Sequence, residues 1–300
     1  MSKEQIYDCI IIGGGPGGLQ GAIHLGRCNR RVLLIDQGGG RTKLANDIVN
    51  YLGIPAIGGL ELTRIGFLQA RSFGVTVKSK TTVIGVSSES AGFFNVETSS
   101  GNFQGRYLIA ASGAKNILPQ LKNLRRFLGK GFYTCMACDG HHTRNSDLLV
   151  MGDNLSTVRK ALAMKKMYTD RLVLLLDDYT LPAEYLDIMV ENVITVIRGT
   201  PTELLGQKQL TGILLADGRT LHCQTILADY GSKLNDDYLK GLPLKRDRSG
   251  FKILTDPLGE SSVSGLFITG GLRADYDQTV IAAGQGATAA MEINTRLLEG

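Results

Sequence analysis

The sequence predicts an α/β fold: two doubly wound, Rossmann-like βαβ domains, the second inserted into the first. Three observations carry this. A compact apolar strand, Tyr7–Ile12, runs into Gly13-Gly14-Gly15-Pro16-Gly17-Gly18, then a helical pattern and a second apolar strand, Val32–Ile35. The same order of strand, turn, helix and strand recurs at Leu148–Gly152, with Arg171–Leu176 as its next strand. Two further apolar strands, Tyr107–Gly113 and Val263–Gly271, read as returns to the first sheet, so both chain ends build the first domain. The expected limits are residues 1–116 with 246–300 for the first domain and 117–245 for the insert. Hinges are expected near Ala114–Ile117 and Pro243–Arg248.

The first turn meets the needs of a dinucleotide site one residue at a time. Gly13 allows the tight turn, Gly15 lets the backbone approach a pyrophosphate, and Gly18 lets the helix pack on the strand. The helix N-terminus then offers free N–H groups and a positive dipole end to phosphates. Asp36 closes the second strand, where it can accept hydrogen bonds from ribose hydroxyls. An acid there disfavours a 2′-phosphate, so this half fits FAD or NAD rather than NADP. A small-residue helix over Gln278–Leu298 carries Ala283, Gly284, Gly286 and Ala287, which allow close approach to a cofactor or a sheet.

The second turn reads Gly152-Asp153-Asn154-Leu155-Ser156-Thr157 and keeps only the first glycine. A side chain at Asn154 crowds a pyrophosphate in the usual pose, and Thr157 takes the helix-packing position. The next strand ends in Asp177-Asp178, two negative charges where a 2′-phosphate would lie, although they suit an unphosphorylated ribose. Two readings stay open: a second FAD at Gly152–Ser156 with Asp177 or Asp178 on its ribose, or a scaffold with no ligand.

Size and composition narrow the function classes. Three hundred residues suit two domains, and 43% hydrophobic with 20% charged residues is ordinary for a soluble globular chain. No apolar run approaches the roughly 20 residues of a membrane helix. The chain reads as cytoplasmic, with no membrane partner. A net charge of +5 favours an acidic protein partner but is no nucleic-acid signature. Lys122, Arg125, Arg126 and Lys130 cluster just before a pair of cysteines.

That pair is Cys135-Met136-Ala137-Cys138, followed by Asp139 and Gly140. Two intervening residues close a small ring that opens and shuts with little backbone movement. A thiolate does this chemistry, and Asp139 is placed to move a proton to a leaving thiolate. His141 and His142 read as solvated. Cys9, Cys28 and Cys223 read as buried or half-buried thiols. Zinc needs two more ligands, and His222 with Cys223 lacks the spacing for them.

With these residues in view, the chain resembles the low-molecular-weight thioredoxin reductases nearly end to end. Four blocks carry the likeness: Ile11–Gly18, Val49-Asn50-Tyr51-Leu52-Gly53-Ile54-Pro55, Cys135–Gly140, and Gly270-Gly271 with Gln278–Gly284. The resemblance implies an FAD-dependent disulfide oxidoreductase and a homodimer. Its substrate would be a thioredoxin-like protein or a small disulfide. FAD contacts implied at matching positions are Gly13, Gly15, Pro16, Gly18, Asp36, Gln37, Arg41, Thr42, Asn50, Val83, Ser112, Gly113, Gly270, Gly271, Gln278, Thr279 and Val280. Cys135 would attack the substrate disulfide, Cys138 would face the flavin, and Asp139 would be the acid.

The departures matter as much. The family reads the NADP 2′-phosphate with a basic motif, where this chain has Leu176-Asp177-Asp178-Tyr179, and Gly271 replaces a family aspartate. The chain is therefore more similar to relatives without NADPH motifs. These are ferredoxin-linked reductases, two-flavin disulfide oxidoreductases with FAD in the former NADPH site, and oxygen-using dithiol oxidases. Asp139, where the oxidases usually have His, counts against the last. A flavin-binding redox sensor without turnover is the remaining alternative.

Overall fold

The structure is a computed structural model that describes residues 6–88 and 92–299. In chain order the first elements are β1 (Tyr7–Ile12), α1 (Pro16–Arg27), β2 (Val32–Asp36), α2 (Gly59–Ser72), β3 (Thr76–Ser79), β4 (Val83–Ser88), β5 (Phe94–Thr98) and β6 (Gly101–Ala110). They are followed by β7 (Phe132–Tyr133), α3 (Met136–Asp139), β8 (Leu148–Gly152), α4 (Leu155–Met167), β9 (Leu172–Leu176) and β10 (Thr195–Arg198). The last are β11 (Thr225–Asp229), β12 (Leu266–Ile268) and α5 (Thr279–Glu299).

The chain forms two compact units, residues 1–115 with 233–300, and residues 116–232. In the first, β3-β2-β1-β6 and β12 are parallel, and β5 and β4 extend the sheet antiparallel. Parallel strands are buried on both faces, which is why Cys9–Ile12 and Val32–Ile35 are unbroken apolar runs. Alternate residues then pack opposite faces. Ile10, Ile12, Leu33, Leu108 and Ile268 lie on one side, and Ile11, Leu34, Ile109 and Phe267 on the other, under Leu19, Leu25 and Ile293 of the helices. Each such side chain contributes about 1.5–3 kcal/mol by leaving water.

The return to the first unit comes at Lys233 rather than at residue 246, so the second crossing is not at Pro243–Arg248. The cause is burial: Leu234, Tyr238 and Leu239 pack into the core with Ile10 and Val86. The two connecting segments, Ala114–Asn116 and Ser232–Leu234, pair with each other.

The second unit has a parallel sheet in the order β10-β9-β8-β11-β7. One face carries Leu148, Val150, Leu174 and Leu176 beneath Val158, Ala161 and Met164 of α4. The other carries Leu149, Met151 and Leu175 with Phe127, Phe132 and Ile213. A three-stranded antiparallel sheet over 201–222 belongs to this unit.

Helix α5 leans on α1 through glycines. A Cβ added at Gly286 would sit 2.0 Å from the Gly17 carbonyl oxygen. The sequence left open whether α5 approaches a cofactor or the sheet; at Gly286 it approaches α1. Gly286→Ala should cost about 1–3 kcal/mol by overpacking. Thermal melting reads this, and an unchanged melting point would contradict this contact.

Candidate functional site

The first unit starts α1 with a glycine turn that leaves room beside Gly15. Gly13 turns the chain with φ +109°, and a Cβ there would meet the Ala111 carbonyl oxygen at 2.5 Å. Gly18 lies against the same turn, its Cβ position 1.9 Å from the Gly13 oxygen. Gly15 is the N-cap with no side-chain cap, and its Cβ position has nothing within 4 Å. Pro16 at the first helical position gives up a donor that the helix could not use. The other first N–H groups of α1 have no partner from a capping side chain, the arrangement an anion can use.

Around this turn the structure gathers residues from both chain ends. Asp36 accepts the Gly14 N–H at 3.1 Å and pairs with Lys43 Nζ at 3.2 Å. Asn50 Nδ2 donates to Gln278 Oε1 at 3.0 Å, 228 residues away in the chain. Gly270 takes φ +64°, and its N–H is fixed by the buried Gln285 side chain at 2.7 Å. Thr279 and Val280 open α5. Thr42 is half-buried, while Gln37 is exposed at the head of three consecutive glycines with positive φ. Val83 packs against the core rather than presenting a polar group. The Ser112 hydroxyl is engaged within the protein. It donates to the Asn235 carbonyl at 2.6 Å and meets the Tyr238 hydroxyl at 2.9 Å, beside Gly113. Burial pushes the Tyr238 phenol up.

Several of these partners had no sequence signal. Lys43, Gln285, Asn235 and Tyr238 come into place only through tertiary packing. Asp277 is another. Its carboxylate pairs with Arg41 and lies 4.0 Å from Lys252 Nζ, while Lys252 donates to the Gly271 carbonyl. A Cβ at Gly271 would fall 3.1 Å from Arg41 Nη2 and 3.2 Å from Asp277 Oδ2, so Asp277 brings a carboxylate to the place where residue 271 has none. Burial holds the Lys252 ammonium below its usual range, with Arg41 adding to it and Asp277 opposing.

The residues fit a dinucleotide such as FAD. The open cradle at Gly15, the uncapped α1 and the Asp36 acceptor supply the donor and acceptor set. Thr269, fully buried where β12 ends, has a hydroxyl without a hydrogen-bond partner, 2.7 Å from the Cβ position of Gly17.

The second unit repeats the turn but closes it. Asn154 is the N-cap of α4, and its Oδ1 accepts the Thr157 N–H at 3.3 Å. Its Nδ2 donates to the Asp229 carbonyl at 3.0 Å and to Asp153 Oδ1 at 2.9 Å. Thr157 is buried and its hydroxyl donates to the same Asp229 carbonyl at 3.0 Å. A Cβ at Gly152 would strike the Asp229 oxygen at 2.2 Å and Thr157 Oγ1 at 2.3 Å. Lys160 Nζ lies 2.7 Å from Asp229 Oδ2, an ion pair set off the angle of a hydrogen bond. Leu155 is half-buried and Ser156 exposed in the first turn of α4. Asp177 accepts from Tyr230 at 3.2 Å, and burial beside that acid pushes the phenol up. Asp178 is exposed with φ +50°.

Cys135 and Cys138 form a disulfide, with Cα atoms 5.3 Å apart. Cys135 caps α3: its Sγ accepts the Cys138 N–H at 3.1 Å, and its carbonyl accepts the Asp139 N–H at 2.9 Å. The Cys138 N–H supports negative charge on Cys135 sulfur when the bond opens. Cys138 is exposed, Cys135 and Asp139 half-buried. Gly140 is buried because the Tyr168 ring stands 2.5 Å from its Cβ position. His142 is exposed and stacks on Tyr133 at 5.4 Å. His141, expected to be solvated, is half-buried against His142, their rings 3.9 Å apart.

Cys9 and Cys223 are buried as expected, but Cys28 is exposed at the C-cap of α1, where the helix ends at the surface. Burial pushes the Cys9 thiol far up. It pushes Cys223 up to about 12, with Asp147 adding to the shift. Raised thiols stay protonated and unreactive near pH 8. Iodoacetamide at that pH should therefore label Cys28 alone in the native oxidised protein, and Cys28, Cys135 and Cys138 after mild reduction. Labelling of Cys9 or Cys223 before unfolding, read by peptide mass spectrometry, would contradict the burial.

The family profile described as "Pyridine nucleotide-disulphide oxidoreductase" matches residues 7–286. The chain is similar to the thioredoxin reductase of Treponema pallidum, 29% identical over 96% of each chain. It is also similar to that of Aquifex aeolicus, 27% identical over 98% of this chain and 94% of the other. The crystal structure of HlmI superposes with a TM-score of 0.92 at 27% identity, over 100% of this chain and 95% of that one.

Proposed function

Since the chain belongs to the pyridine nucleotide-disulphide oxidoreductase family, we propose that it is a thioredoxin-reductase-like FAD enzyme whose flavin is not reduced by NADPH. One observation carries the departure. The Thr157 N–H, at the start of the helix that would receive a pyridine nucleotide's phosphates, is already met by Asn154, and Asp153 and Asp177 add negative charge at the turn, while Asp229 is offset by Lys160. A reduced iron–sulfur protein such as ferredoxin is the donor class that this reading favours.

In the first unit, Gly13, Gly15, Pro16 and Gly18 would cradle the FAD pyrophosphate and Asp36 would hold its ribose. Arg41, Thr42, Asn50, Gly113, Gly270, Gly271 and the start of α5 at Gln278 would line the rest. Bound FAD supplies two-electron reducing equivalents to the cysteine pair. The remaining steps belong to the chain's own groups. The Cys135 thiolate attacks a disulfide of a thioredoxin-like protein or a small molecule, expelling one partner thiolate, which takes a proton from Asp139. The Cys138 thiolate then attacks Cys135 sulfur, releasing the second partner thiolate and closing the Cys135–Cys138 disulfide. The acting molecule would be a cytoplasmic homodimer, with the insert as the domain that carries the dithiol.

Two experiments test this. In anaerobic titration, dithionite should bleach the flavin and NADPH should not; rapid bleaching by NADPH would sink the proposal. Cys138→Ser, purified with flavin bound, should lose disulfide turnover by at least about 10³-fold, since the nucleophile is missing from the resolving step.

The closed second turn generates a separate expectation. Asn154→Gly with Thr157→Gly removes the cap and the side chain under it. The pair should lower stability by about 1–3 kcal/mol and raise affinity for NADH or FAD above that of the parent. Calorimetric titration with each nucleotide reads this, and tight binding of a second FAD by the parent would instead identify that site as a flavin site.

A further inference from the structure

Before the cysteine pair, residues 118–131 contain four cations and no acid. Lys122, Arg125, Arg126 and Lys130 are all exposed. The segment is not a loose loop. The Lys122 N–H donates to the Thr202 carbonyl at 3.0 Å and its carbonyl accepts the Leu204 N–H at 3.1 Å, so it runs as an added rung beside residues 201–205. Asn123, at φ +66°, ties the turn to the Leu204 carbonyl at 3.1 Å, and buried Phe127 anchors its far end. Arg126 donates to the Gly206 carbonyl at 3.2 Å, which brings the turn bearing exposed Lys208 alongside. Glu203, 3.9 Å from Lys122, is the acid paired into this face. Five cations against one acid amount to nearly the whole net charge of the chain.

The face is also concave. Pro119, Gln120, Leu121, Asn123, Leu124, Arg125 and Arg126 line an open cavity of about 530 Å³. The segment runs on in sequence to the dithiol: Lys130 precedes β7, the edge strand of its sheet, and Cys135 follows β7 by two residues. Four residues lie between Lys130 and Cys135, so their Cα atoms can be at most about 18 Å apart.

We propose that this basic concavity is the docking face for an acidic protein that carries the substrate disulfide, and that it orients the disulfide toward Cys135. The inference rests on the disulfide-reductase reading above. A fixed patch of one sign steers an oppositely charged partner and fixes its register, while a small neutral disulfide gains nothing from it. The cations lie outside the reacting groups, so they act on encounter and binding rather than on bond exchange.

The test uses the flavin-loaded protein reduced by dithionite, with flavin reoxidation followed anaerobically. An acidic oxidised thioredoxin is one substrate and hydroxyethyl disulfide the other. Arg125→Glu with Lys130→Glu should raise the half-saturating thioredoxin concentration by about 10-fold or more at low salt. The gap should close at about 0.5 M salt, where screening acts over a few ångströms. The maximal rate and the hydroxyethyl disulfide reaction should not change, and Arg125→Gln with Lys130→Gln should fall between. Equal half-saturation in parent and charge-reversed protein, or equal slowing with both substrates, overturns the docking face while leaving the reductase reading intact. A parent protein reoxidised by neither disulfide overturns the reductase reading and the docking face with it.

Discussion

The first N–H groups of α1 have no partner inside their own helix, and the proposed cofactor site depends on keeping them available. Gly15 contributes no side chain to cap them, and Pro16 removes one donor altogether. Close contacts hold that turn in place. Gly18 packs on Gly13, Gly286 on Gly17, and Gln285 pins the N–H of Gly270. An uncapped helix start of this kind favours an anion by roughly 0.3–1 kcal/mol through its dipole alone, before direct hydrogen bonds are counted. Larger residues at Gly17, Gly18 or Gly286 would displace the turn from its strand, and the opening with it.

The dithiol obeys a more local logic. Cys135 begins a single helical turn, so the geometry that brings Cys138 to it is set by four consecutive residues and not by a distant partner. The same turn aims the Cys138 N–H at Cys135 sulfur. Gly140 is required for a different reason, since the Tyr168 ring occupies the space a side chain would need. Geometry and packing thus divide the motif: its first four residues close the disulfide turn, and the last, Gly140, serves the fit of that turn against Tyr168.

This division explains which parts could be read from the sequence. Strands buried on both faces leave unbroken apolar runs, and glycine turns leave spacing, so β1, α1, β2, β8, β9 and α5 were legible. Asn154 and Thr157 were legible as departures at the glycine positions of the second turn, because those positions follow from spacing along one βαβ unit, but the bonds they make were not. Residues that act across the fold were not. Asp277 and Lys252 reach Arg41 and Gly271 only after strands far apart in the chain align, and nothing in their neighbours' pattern marks them. The return at Lys233 was missed for the same reason. Leu234, Tyr238 and Leu239 have no strand or helix period, and their burial is decided by the core they join.

The two glycine turns finally show what it takes to close a nucleotide-type turn without unfolding the domain. A helix that does not meet phosphate still has N–H groups to satisfy, and leaving them bare beside buried carbonyls is costly. Asn154 answers that need from within, capping α4 through Oδ1 while its amide secures the Asp229 carbonyl. Thr157 fills the space of a packing glycine and sends its hydroxyl to the same carbonyl. An N-cap of this kind is worth about 1 kcal/mol to the helix. On the proposed reading, the atoms that stabilise this turn are those a pyrophosphate would meet, so stability of the unit by itself and affinity for a nucleotide oppose each other at these two residues.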